Sequence, residues 1–373
     1  MPSARLFIAV SVLAAVAPAP APAQSPGQQV SARAAIHSVD SIFTDYDHPD
    51  TPGASVMVIQ NGIVVFDRAY GMADLEHHVP ATDRTDYRLA SVTKQFTATA
   101  VLLLIQDGRL QLDERVSDVL PKFPSYGRSI TVRHLLTHTS GLWAYEDFVP
   151  DTQSVQIHDR DVLTLLHRVD STYFTPGTAY RYSNSGYVVL GLIVEAVSHQ
   201  RFATFLRDRV FAPLHMDSTV AYEAGVSVVP QRAFGYSSTP AGFQLTDQSP
   251  TSATLGDGGI YTSTHDLLAW NRALDAHTLV DATLQQQAWT PNTLTNGMST
   301  RYGFGWNTDR GARGLHVWHA GETSGFTNAI VKYPDQALTV IVLTNRSGGN
   351  PLTLAEQVAD LPVFSAARSA GRR

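Results

Sequence analysis

Apolar and polar positions alternate with different periods at the ends and in the middle of the chain. From Ser31 to Tyr46 the apolar residues Ala35, Ile36, Val39, Ile42 and Phe43 recur at i, i+3, i+4 and i+7, which predicts an amphipathic helix closed by Pro49 and Pro52. The next two apolar runs, Ala54 to Gln60 and Ile63 to Tyr70, are rich in β-branched residues. Between them stands Asn61-Gly62, a pair that readily takes positive φ at both centres of a tight turn, so an antiparallel hairpin is predicted. Near the other end, Tyr302 to Trp306, Leu315 to His319, Thr327 to Tyr333 and Ala337 to Thr344 read as strands, with Pro334-Asp335-Gln336 as the last turn and a helix from Leu352 to Val363 after it.

The middle is different. Between Asp113 and Pro250 the clear periodic segments are helical: Val162 to Val169, Tyr187 to His199 and Phe202 to Val210. Strands at both ends with helices between them predict an α/β (α+β) fold. Residues 30–112 and 251–365 would build an antiparallel sheet flanked by helices, and residues 113–250 an inserted all-helical domain. The small, polar, basic residues 366–373 read as a disordered tail.

Composition narrows the functional classes. The 33 acidic and 27 basic side chains give a net charge of -6 with no basic run, so nucleic acid is not an expected partner and a small molecule or peptide is. Residues 1–23 read as a signal peptide: Arg5, an apolar run from Leu6 to Ala17, and a cleavage site at Ala21-Pro22-Ala23. A secreted or periplasmic protein with no membrane anchor after cleavage is expected. The absence of cysteine fits export without disulfides and excludes thiol nucleophiles and thiolate metal sites. Oligomeric state is not legible.

Three short segments can carry chemistry. Ser91-Val92-Thr93-Lys94 opens a segment in which Phe96, Ala100, Leu103 and Leu104 repeat at helical spacing until Asp107-Gly108. Residues three apart share a helical face, so the Lys94 amine can reach the Ser91 hydroxyl beside free N–H groups at the helix start. Tyr182-Ser183-Asn184 lies in a loop after Pro176-Gly177 and before another helix. Neighbouring cations that lower its pKa would make Tyr182 a base, and the Asn184 amide can hold a substrate carbonyl and a lysine amine together. In His319-Ala320-Gly321, small residues after the histidine allow a substrate backbone to lie against an edge strand.

Together, in this order and rough spacing, the three segments resemble the serine β-lactamase and penicillin-binding-protein superfamily, most of all its class C β-lactamase, DD-peptidase and family VIII esterase branch. Leu135 to Leu142, Gly258 to Leu267 and Gly325-Phe326 resemble the same family, so the likeness spans nearly the whole mature chain.

The resemblance implies a serine hydrolase working through an acyl-enzyme on a small amide, peptide, lactam or ester, without a cofactor. Ser91 would attack, Lys94 and Tyr182 would handle its proton, and the N–H groups of Ser91 and Glu322 would form the oxyanion hole. Asn184, His319, Gly321 and Glu322 would contact substrate. His319 stands where many β-lactamases carry lysine, which weakens attraction for a substrate carboxylate. The rival expectation is a non-catalytic sensor or assembly protein with the same fold. His134 and His138 stand four apart, but without a glutamate between them or a third ligand they are not expected to bind metal. Tyr302, Trp306 and Trp318 are read as packed core more readily than as a substrate wall.

Overall fold

The computed structural model describes residues 36–365; the expected signal peptide, the first turn of the opening helix and the expected tail lie outside them. The antiparallel sheet has six strands: β1 (Ala54–Gln60), β2 (Ile63–Tyr70), β3 (Asn307–Gly311), β4 (Gly314–Thr323), β5 (Phe326–Tyr333) and β6 (Leu338–Thr344). Their order is β3-β4-β5-β6-β1-β2, so the last strand of the chain pairs with the first and closes the two ends into one layer. Asn61 and Gly62 both have positive φ, 51° and 74°, as the tight hairpin requires.

Strand periodicity explains the two cores. On β1, Ala54, Val56 and Val58 pack against the outer layer formed by the helix over 36–42 and α4 (Pro351–Asp360). Met57 and Ile59 face the opposite way, into the larger core shared with α1 (Lys94–Gln106), α2 (Asn184–Ser198) and α3 (Thr264–Ala276). A strand buried on both faces needs apolar residues at every position, and β1 has them from Ala54 to Ile59 apart from a buried Ser55.

Several local expectations hold. The α1 helix ends at Gln106 with Gly108 at φ +69°, as Asp107-Gly108 predicts; Ser263, three residues before Asp266, caps α3 by accepting the Asp266 N–H. The 113–250 segment contains Asp159–Leu166, α2 and Phe202–Leu206, the last passing into a π turn at Arg207–Phe211. The segment is not all-helical as expected: it also carries a hairpin, Tyr236–Thr239 with Gly242–Leu245, turning at Pro240 to Gly242 where glycine takes φ +121°, and a short strand Val220–Ala221 paired to Ile260–Thr262.

Two further expectations change. Tyr302 to Trp306 is not a strand; the strand begins at Asn307. Tyr302, Phe304 and Trp306 are buried while Gly305 takes φ +77°, so the alternation reflects a loop pinned into the core by every second residue. The last helix stops at Asp360, because Leu361 precedes Pro362 and takes an extended conformation at ψ 134°.

Candidate active site

The candidate site sits where β4 meets the turn that precedes α1. Residues before Ser91 are fixed by Tyr87 and Arg88 pairing with Thr262 and Tyr261, by the Leu89 N–H donating to the Ile260 carbonyl at 2.8 Å, and by Asn328 Nδ2 of β5 donating to the Arg88 carbonyl at 2.7 Å. The chain then turns through Ala90 at φ +50°, a left-handed conformation unfavourable for alanine and held by these contacts. Ser91 follows in a 3₁₀ turn, Ala90–Thr93, that runs directly into α1.

This places Lys94 on the same face as Ser91. The ammonium is fully buried and its three protons are all used: Nζ donates to Ser91 Oγ at 3.1 Å, to Asn184 Oδ1 at 2.8 Å and to the Asp257 carbonyl at 2.9 Å. Each acceptor is formally neutral. Burial therefore pulls the Lys94 pKa down to about 8, with the nearby charges of Asp257 and Glu146 offsetting only part of that.

Tyr182 leans on this amine, with Nζ 4.9 Å from its ring centre, and its phenol oxygen faces the Ser91 hydroxyl. Burial pushes its pKa up and outweighs the opposing hydrogen bond from Ser91, so Tyr182 is held protonated instead of being tuned towards phenolate. Its loop is fixed by His138, which at φ +57° packs its ring on Tyr182 with ring centres 4.3 Å apart and accepts the Ser183 N–H on Nδ1 at 3.1 Å. His134 accepts the Thr131 N–H on its own Nδ1, so the two histidines serve separate structural ends.

Asn184 begins α2 beside the Ser183 cap. Its Nδ2 donates to Glu146 Oε1 at 2.6 Å while its Oδ1 takes the Lys94 bond, so the amide links a lysine to a carboxylate. Glu146, whose pKa burial raises, and Asp257 were not singled out from sequence. They sit at the edges of the Leu135–Leu142 and Gly258–Leu267 stretches, and that adjacency was the available signal.

On β4, a Cβ on Gly321 would come within 2.2 Å of the Leu89 carbonyl and 3.0 Å of the Ser91 nitrogen. Only glycine lets the strand approach the Ser91 turn so closely, which brings the following backbone unit, Glu322, alongside it. The β3 partner reaches only to Trp318, so the β4 edge beyond it is unpaired among the described residues. His319 is nearly fully buried and neutral. Nε2 contacts the Tyr302 hydroxyl at 2.9 Å, Nδ1 contacts the Ala320 carbonyl at 2.7 Å, and burial lowers the pKa to about 3. Tyr302 and Trp306 are core residues, whereas Trp318 lines the cleft.

Two recesses meet at Ser91. One, of about 570 Å³, runs past Tyr182, Trp318, His319 and the loop Gly349 to Leu352. The other, of about 100 Å³, lies between Arg88, Tyr145, Glu146, Thr254 and Asp257; Ser91, Asn184 and Glu322 border both.

The model of the Beta-lactamase family matches residues 39–362. Penicillin-binding protein 4* of Bacillus subtilis (strain 168) is 31% identical over 314 residues, 78% of this chain and 68% of that protein. Protein flp of Staphylococcus aureus (strain NCTC 8325 / PS 47) is 28% identical over 331 residues, 82% of this chain but 62% of its own length, so the chain spans less than two thirds of that relative. Among solved structures, the octameric penicillin-binding protein homologue from Pyrococcus abyssi matches with a TM-score of 0.76 at 26% identity, covering 90% of this chain and 77% of that one. D-amino acid amidase from Ochrobactrum anthropi SV3 shares the fold, with a TM-score of 0.75 at 24% identity over 90% of this chain and 100% of that one. Matched from Val39 to Pro362, the chain belongs to the serine β-lactamase and penicillin-binding-protein superfamily, a family of serine hydrolases.

Proposed function

We propose that the protein hydrolyses a small amide or ester through an acyl-enzyme on Ser91. The observation that carries this reading is Lys94: a buried amine with a pKa near 8 that touches Ser91 Oγ and only neutral acceptors. Such an amine is neutral in a useful fraction of molecules near neutral pH and can then take the serine proton.

In the proposed cycle Ser91 Oγ bonds to the substrate carbonyl carbon as its proton passes to Lys94. The carbonyl oxygen becomes an oxyanion, for which the N–H groups of Ser91 and Glu322 are the candidate donors. Tyr182, protonated at rest, gives its proton to the departing nitrogen or oxygen and recovers one from Lys94. The carbon–leaving-group bond breaks and Ser91 carries the acyl ester. Water then attacks that ester, its proton passes through the same pair, and the acid leaves. The open edge of β4 suits an extended substrate backbone, and Trp318 offers the leaving group an apolar face.

The neutral, fully engaged His319 provides no cation for a substrate carboxylate, which favours esters and simple amides over carboxylate-bearing lactams and peptides. The N-terminal segment supports export, and no helix among the described residues is long and apolar enough to cross a membrane. Two measurements test the reading. Mature protein given a p-nitrophenyl ester and a fluorescent penicillin is expected to turn over the ester, and Edman sequencing of exported protein is expected to begin at Gln24. Absence of both turnover and adduct with either reagent refutes the catalytic reading; export without cleavage refutes the signal peptide.

A further inference from the structure

The Lys94 amine can act as a base in one orientation only. When neutral it has two N–H groups and one lone pair. With the N–H groups on Asn184 Oδ1 at 2.8 Å and on the Asp257 carbonyl at 2.9 Å, the lone pair is left for Ser91 Oγ at 3.1 Å. The Asn184 acceptor is a side chain mounted on α2. The Asp257 acceptor is a main-chain carbonyl in the turn 251–258, which lies outside every helix and strand. Where that carbonyl points is set by whatever pins the turn.

Three side chains pin it. On the catalytic side the Tyr145 hydroxyl meets Thr254 Oγ1 at 3.2 Å and Asp257 Oδ2 at 3.1 Å. From α1, Thr97 Oγ1 donates to the Gly256 carbonyl at 2.6 Å. From the opposite side Asp159 holds the main chain directly: Oδ2 accepts the Leu255 N–H at 3.1 Å and Oδ1 the Gly256 N–H at 3.2 Å. These are the two N–H groups immediately before Asp257. A Cβ on Gly256 would come within 2.4 Å of the Tyr187 carbonyl, so the turn is pressed against α2 where Asp159 grips it.

Asp159 is the first residue of the helix Asp159–Leu166 and works from behind the turn. Thr251, Thr254 and Asp257 line the small catalytic recess, whereas Ser252, Ala253 and Leu255 line a separate one of about 450 Å³ together with Asp159. The charged groups around that second recess are His158 and Arg160 beside Asp159, Glu195 from α2, and Arg201 and Glu223, with Arg160 paired to Glu195 at 3.7 Å and Arg201 paired to Glu223. Burial, and then the charge of Asp257 across the turn, pushes the Asp159 pKa up to about 7 against the hydrogen bonds from Leu255 and Gly256. Above that pH, which includes the range where Lys94 is neutral, both carboxylate oxygens are acceptors and the grip is complete.

We infer that Asp159 is a positioning residue for this reaction: by holding the Leu255 and Gly256 main chain it fixes the Asp257 carbonyl on Lys94, and so aims the lysine lone pair at Ser91. The inference rests on the acyl-enzyme reading and adds to it a carboxylate that lines neither recess at Ser91.

The test is the pre-steady-state burst of p-nitrophenolate from p-nitrophenyl acetate, followed from about pH 7 to about pH 9.5 in wild type, Asp159→Asn and Asp159→Ala, with Ser91→Ala as the blank. Burst amplitude counts competent molecules, so a folding defect lowers the amplitude and leaves the rate per molecule readable. At saturating substrate on the alkaline plateau that rate is expected to fall about ten-fold in Asp159→Ala and less in Asp159→Asn, which keeps one acceptor oxygen, while the substrate concentration giving half the maximal rate stays within about two-fold. The midpoint of rate against pH is expected to move to lower pH in both variants, because the ammonium form of Lys94 loses a hydrogen-bond acceptor. A lower midpoint with an unchanged plateau rate overturns the inference, since only the lost charge is then acting through space. Unchanged rates per molecule in both variants overturn it, and so does a loss expressed only as a higher half-maximal concentration. Absence of both a burst and an acyl adduct on Ser91 in wild type overturns the parent reading as well.

Discussion

Two lysines are buried on the same side of the sheet, and their surroundings differ in one respect. Lys332 on β5 donates to Asn271 Oδ1 at 2.7 Å and to Thr339 Oγ1 at 3.2 Å, and forms an ion pair with Asp275 of α3. Lys94 makes as many contacts, but all to neutral oxygens. Burial lowers both pKa values, yet for Lys332 the adjacent carboxylate opposes the shift directly, through charge and hydrogen bond. Equal burial thus gives a fixed structural charge in one place and an exchangeable proton in the other. Residue type and depth do not distinguish them; the first contact shell does.

The comparison breaks most severely at the nucleophile. Ser91→Ala is expected to remove acylation altogether, a loss of roughly 10⁶-fold in kcat where such residues have been deleted in a serine protease. Lys94→Met is expected to lower kcat/KM by about 10²–10⁴-fold, the range associated with losing a general base, as read by ester hydrolysis at fixed pH. Lys332→Met should leave turnover per folded molecule within about two-fold, while costing about 1–3 kcal/mol because the Thr339 hydroxyl oxygen loses its donor and Asn271 Oδ1 keeps only the one from Thr339, as measured by urea unfolding. If both lysine variants lost activity equally without unfolding, the distinction between them would fail.

Tyr182→Phe sharpens the same contrast by leaving group. A p-nitrophenolate departs without a proton and an amine does not, so amide turnover is expected to fall by about 10²-fold and p-nitrophenyl ester turnover by much less. The smallest effect is a pH profile. Lys94 must be neutral to accept the Ser91 proton, so kcat/KM is expected to rise with pH through about 8 and level off above it. A profile flat between pH 6 and 9 would assign the base elsewhere.

Legibility in the sequence follows the range of the interactions. Ser91 and Lys94 could be read because two residues three apart on one helical face fix their approach without reference to the rest of the chain. The Asn61-Gly62 hairpin and the Ser263 cap are local for the same reason. Glu146 and Asp257 were not legible, since their importance comes from a 3₁₀ turn, Tyr145–Phe148, and the turn before the strand Ile260–Thr262, brought together across Tyr145, Asn184 and Lys94. His319 was legible in place but not in state: its neutrality comes from burial and from the nearby charge of Lys94, neither of which a local pattern signals. His138 was noticed only for its spacing from His134 and set aside as a metal ligand, and its actual work under Tyr182 needs a left-handed backbone that no spacing rule signals.

The most direct test of the account is the intact mass of the mature protein after brief exposure to a p-nitrophenyl ester, followed by peptide mapping, in wild-type and Ser91→Ala. The account predicts one added acyl group on the peptide containing Ser91 and none in the variant. An adduct on another residue, or wild-type turnover in Ser91→Ala, would contradict it.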